Sequence, residues 1–126
     1  MDYLTDQRDQ LGAVLVGSTM TLADSRESVK AFPALVLGPA APWLDGRIIP
    51  TGPGRPFVVS LTGTLFVAAA DADVGQRAME RAVQEVLERL PATWRFDGGE
   101  RPYPARAGEL AALACELLFS LTSSVS

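Results

Sequence analysis

Residues 110–122 read Leu110-Ala-Ala-Leu-Ala-Cys-Glu-Leu-Leu-Phe-Ser-Leu-Thr122, and whether they form a helix or a strand decides the fold. As a helix, Leu110, Leu113, Ala114, Leu117, Leu118 and Leu121 fall on one stripe, and Ala, Leu and Glu are strong helix formers. As a strand, Leu113, Cys115, Leu117, Phe119 and Leu121 alternate with Ala112, Ala114, Glu116, Leu118, Ser120 and Thr122, three of which are polar. Propensity is a weak prior that tertiary context overrides, so both readings stand on these residues alone. The Ser-Leu-Thr-Ser-Ser-Val that closes the stretch tilts it towards strand.

The segments upstream are less ambiguous. Residues 57–70 are the clearest strand: Phe57, Val59, Leu61, Leu65, Val67 and Ala69 are apolar at odd positions, with Ser60, Thr62 and Thr64 on the even side. Gly63 in its middle predicts a bend or bulge. Residues 73–90 form a strong amphipathic helix with Met79, Ala82, Val83, Val86, Leu87 and Leu90 on one stripe. Asp73 and Gln76 are spaced as a capping box, Arg81–Glu85 and Glu85–Arg89 are four apart, and Pro91 ends the helix. Thr93-Trp-Arg-Phe96 reads as a short strand closed by an Asp97-Gly-Gly turn, and residues 100–108 as a proline-containing link.

Towards the start of the chain, residues 2–15 read as a modest helix on Leu4, Leu11 and Leu15, stopped near Gly17. Residues 18–31 are polar and suit a short hairpin or an extended excursion. Phe32-Pro-Ala-Leu-Val-Leu37 is a strand that should end at Gly38-Pro39. Five prolines (39, 42, 50, 53, 56) and four glycines (38, 46, 52, 54) then predict a long Pro/Gly-rich loop over 38–56. It carries Trp43, Leu44, Ile48 and Ile49, side chains too apolar for a passive linker. Two roles remain open for Trp43: anchoring an interface, or folding back on the domain's own core.

Bulk composition narrows function mainly by exclusion. The chain has 126 residues, 48% hydrophobic and 21% charged, which fits one globular domain. A net charge of −4, with ten Arg and one Lys scattered along the chain, argues against gripping phosphate backbones. The acidic start lacks the pattern of a signal peptide, and no apolar run is long enough to span a bilayer, so a soluble, cytoplasmic protein is expected. There is no histidine, which removes Ser–His and Cys–His nucleophile systems and the usual zinc sites. Cys115 sits in an apolar run beside Glu116, the setting of a buried small hydrophobe rather than a reactive thiol. Asp71 and Asp73 precede a helix, where carboxylates cap. Thr51-Gly-Pro-Gly-Arg55 fails as a phosphate loop, because Pro53 lacks a donor and no helix start follows. No catalytic, metal or cofactor site is expected.

The order of these elements, with "PALVLGP" at 33–39, the alternating strand at 57–70, "DADVGQRAMERAVQEVLERLP" at 71–91, "TWRF" at 93–96 and a last apolar strand, resembles the tail terminator proteins of long-tailed bacteriophages and the minor tail proteins grouped with them. The resemblance covers nearly the whole chain. It implies a single α+β domain over residues 1–126, with a mixed or antiparallel β-sheet packed against one main helix (73–90). It also implies a non-enzymatic virion protein that closes as a homo-hexameric ring on the head-proximal end of the tail. The ring's partners would be the major tail tube protein and the head–tail connector or neck protein, with no sequence-specific nucleic-acid contact and no membrane. Assembly would take place in the host cytoplasm. Trp43, Leu44, Ile48 and Ile49 are then candidates for subunit or tail-tube contacts. The alternatives are another neck or tail-completion protein, or a small cytoplasmic ligand-binding module that uses the 38–56 segment as a lid.

Overall fold

The computed structural model describes residues 3–46, 55–69 and 71–125. In it, residues Leu110–Val125 are one continuous strand. The elements run α1 (Tyr3–Val16), β1 (Thr21–Ala23), a single 3-10 turn at Arg26–Ser28, β2 (Ala34–Asp45), β3 (Arg55–Ala68), α2 (Ala72–Arg89), β4 (Arg95–Gly99), β5 (Tyr103–Ala107) and β6 (Leu110–Val125). The strands form one mixed sheet in the order β1-β2-β3-β6-β4, with β5 also pairing with β6. Only β1–β2 is parallel. The fold is therefore α+β, with both helices on one face of a six-stranded sheet.

The packing of β6 explains its helix-like composition. Its register with β3 runs unbroken from Ala68↔Ala112 to Arg55↔Val125, so their side chains share faces. Cys115, Leu117, Phe119 and Leu121 join Val59, Leu61, Leu65 and Val67 of β3 under the helices, in the main core with Leu11, Leu15, Met79, Val86 and Trp94. Ala112 and Ala114 lie on the other face, in a second cluster with Phe66, Val29, Ala34 and Ala107. There the segment around the 3-10 turn crosses the sheet, and the Arg26 guanidinium lies 5.5 Å from the Phe66 ring centre. A strand buried on both faces loses its polar alternation, and where a crossing segment presses close, alanine is the side chain that fits. The alanines that favoured a helix are the small residues of a doubly covered strand.

Several local expectations are corrected. Gly63 marks no bulge, since its register with both neighbours is regular. It makes room instead: a Cβ there would lie 2.9 Å from Phe119 Cε2 and 3.2 Å from Leu37 Cδ2, so the glycine leaves space for the Phe119 ring beside β3. The cap of α2 is Asp71, whose carboxylate accepts from the Val74 amide at 3.0 Å. Asp73, one position inside the helix, pairs instead with Arg77 at 3.3 Å. The expected Glu85–Arg89 pair forms at 3.9 Å and is tied to the α1–β1 turn through Thr19, which donates to Glu85 at 2.9 Å. Asp97-Gly-Gly belongs to β4, with its irregularity between Phe96 and Gly98.

The proline-containing link conceals β5, which forms a hairpin with β6 around Gly108-Glu109. Gly108 has φ +61°, the first-position glycine of a two-residue hairpin turn, and a Cβ there would press on Glu27 O at 3.2 Å. β1 is three residues long, with no hairpin partner of its own. Instead of ending at Leu37, β2 continues through Gly38, Pro39 and Pro42 to Asp45.

Candidate interaction surface

The continuation of β2 is where the apolar candidates sit. β1 pairs only with Ala34–Val36. From Leu37 to Asp45, no described strand lies on the outer side of β2, so this stretch is a sheet edge. On the inner side, Pro39 aligns with Leu61 and Leu44 with Val59. β2 spends five steps (44 − 39) where β3 spends two (61 − 59), which leaves three extra residues on the edge strand. Residues 40–43 therefore arch out of the ladder. Proline is tolerated at such an edge because its missing N–H breaks no inner hydrogen bond, and it discourages uncontrolled strand pairing.

The arch presents Trp43 at 43% exposure, and Leu44, where pairing resumes, is 44% exposed. Trp43 is thus not folded into the domain's core. Ile48 and Ile49 lie outside the described residues. The structure brings Trp43 and Leu44 together on one edge.

Chemistry at other points is sparse. Among the described residues no group of three or more His, Cys, Asp or Glu could hold a metal ion. Cys115 is buried, and its Sγ–H donates to the Glu100 carbonyl at 3.1 Å. Burial, followed by the neighbouring Glu116 carboxylate, pushes its pKa above the ordinary thiol value, so the thiol stays protonated and unreactive at neutral pH. No described helix is long and apolar enough to cross a membrane.

A second surface feature went unread in the sequence. A groove of about 480 Å3 runs along α2, lined by Gln76, Met79, Glu80, Val83, Gln84, Leu87, Glu88, Pro102 and Cys115. Its sequence signal lies in the 79–90 stripe, which carries Val83 and Leu87. Val83 packs only partly against that core, and Leu87 is exposed.

Fold and surface together define an α+β domain with Trp43 and Leu44 exposed on a sheet edge, Leu87 exposed in a helix groove, and its buried thiol held protonated. No protein-family model and no curated protein matches the chain.

Proposed function

We propose that this chain is a structural virion protein of the tail terminator kind. It would form a homo-hexameric ring that caps the tail tube of a long-tailed bacteriophage, stops its polymerisation and joins it to the head connector. The observation that carries the reading is the arch of β2. Trp43 and Leu44 stand exposed on an edge where no described strand pairs with β2 beyond Val36 on its outer side. Aromatic and aliphatic side chains of this kind anchor interfaces, and an unpaired edge is completed most simply by a neighbour. An edge on one flank of the protomer that meets a different surface on the next makes a heterologous contact, and such contacts close into rings when the rotation between protomers closes. A passage lined by an acidic protein (net charge −4) would let DNA through without gripping it.

The test is assembly. Native mass spectrometry and negative-stain microscopy of the purified protein should find six-membered rings. Trp43→Ser with Leu44→Ser should reduce them to protomers whose circular dichroism is unchanged. Incubated with tail tube subunits, the wild-type chain should shorten the tubes they form, and the double variant should not. A protein that stays monomeric at high concentration and leaves tube length unaltered would refute the reading.

A further inference from the structure

The acidic residues of α2 are partnered in two different ways. On the flank turned to solvent and to α1, carboxylates meet arginines: Asp73 with Arg77 at 3.3 Å, and Glu85 with Arg89 at 3.9 Å. Along the groove, Gln76, Glu80, Gln84 and Glu88 form a row at four-residue spacing, and here the partners are neutral. The Gln76 amide donates to Glu80 at 3.2 Å and the Gln84 amide to Glu88 at 2.9 Å. A glutamine orients a carboxylate without cancelling its charge. Beside this row runs a second one at the same spacing, Met79, Val83 and Leu87, which forms the apolar bed of the groove opposite Pro102. Among the described residues, no arginine or lysine lines the groove.

We propose that this groove docks a basic, apolar segment of a partner protein, a stretch whose large aliphatic or aromatic side chains enter between α2 and Pro102 while its Lys or Arg residues meet Glu80 and Glu88. The two carboxylates are eight residues apart on the helix, about 12 Å. That separation matches two cations about two turns apart on a docked helix, or four residues apart on an extended strand. A second copy of this chain is a poor occupant, because its net charge of −4 would meet an anionic rim. The inference goes beyond the ring reading and is independent of it. The groove lies on the β4–β5 side of β6, whereas the arch of β2 lies at the other side of the sheet.

The test uses the full chain and a fluorescein-labelled fourteen-residue peptide of leucines and lysines patterned as an amphipathic helix. A second peptide has the same leucines with glutamate in place of every lysine. Anisotropy titration should show the lysine peptide binding, its affinity falling as salt is raised, and the glutamate peptide failing to bind. Glu80→Gln with Glu88→Gln should weaken the lysine peptide about three- to tenfold, as expected for two exposed ion pairs. Asp9→Asn with Asp73→Asn removes the same charge away from the groove and should change little. Equal binding of the two peptides, no binding of either, or equal loss in both double variants would overturn the proposal. So would a change of oligomeric state caused by E80Q/E88Q, which would assign the groove to self-association.

Discussion

The two halves of the sheet are built from the same three strands and treated in opposite ways. Near Leu35, Phe66 and Ala114 the sheet is covered twice, by the helices on one face and by the 24–33 segment on the other, and all three side chains are fully buried. Past Gly63, the face opposite the helices carries Thr62, Ser60 and Leu118; the two hydroxyl residues are half-buried and Leu118 is exposed. There β2 leaves regular pairing and arches outward with Trp43. One half is buried on both faces; in the other the helix face stays in the main core with Leu61, Phe119 and Leu121, and the opposite face is left largely as surface. The difference teaches that long strands are not long for the sake of their own core. A sheet that outruns its covering layers is placing residues where another molecule can reach them.

The largest effect should come from the helix-covered face of the sheet. Phe119 is fully buried, overlies Gly63 and meets the Phe96 ring at 6.0 Å with a 49° tilt. Phe119→Ala should cost about 3–5 kcal/mol in urea unfolding, enough to leave a domain of this size marginal or unfolded. A cost under about 1 kcal/mol would mean that the core does not run as far along β6 as the structure places it.

Gly63→Ala should come next, at about 1–3 kcal/mol, because the new Cβ has no room beside Phe119 and the two leucines of β2. In a Phe119→Leu background the same alanine should cost less, and a double-mutant cycle reads the coupling directly. Additive costs would show that the glycine serves the backbone and not the ring. Asp71→Ala removes the side-chain cap of α2, and about 1 kcal/mol is expected by the same measurement, against nearly nothing for Asp73→Ala.

The surfaces where helix α2 and strand β3 pack on each other were the more legible in the sequence, for a physical reason. The period of two in residues 57–69 and the 3.6-residue stripe of 79–90 report burial against the chain itself, and burial leaves a pattern. β6 was ambiguous because covering both faces erased that pattern, leaving Ala112 and Ala114 to be taken as helix formers. β5 was hidden by Pro102 and Pro104, although a proline at a strand's outer side costs no ladder bond. The same rule explains β2, where Pro39 and Pro42 suggested a loop and instead lie in an edge strand. Trp43 and Leu44 stood out as too apolar for their surroundings, yet the arch that exposes them depends on a register shift against β3 that no local signal encodes. The groove was missed because Val83 and Leu87 satisfy the helix period equally well whether they are covered or bare.

The smallest effect on stability is the one that tests the comparison most sharply. If the open half contributes surface and not core, Trp43→Ser and Leu44→Ser should each change the unfolding free energy of the protomer by no more than about 0.5 kcal/mol, the range of surface substitutions. The measurement belongs at low protein concentration, where any gain from assembly is absent, because association stabilises a folded chain by mass action and would be mistaken for intrinsic stability. Repeated at rising concentration, the wild-type midpoint should climb while that of the double variant stays fixed. The separation between the two curves is then the worth of the edge to an assembly. Should Trp43→Ser cost about 2 kcal/mol or more in the isolated protomer, the arch would be part of the fold's own packing, and the division between a closed and an open half would collapse.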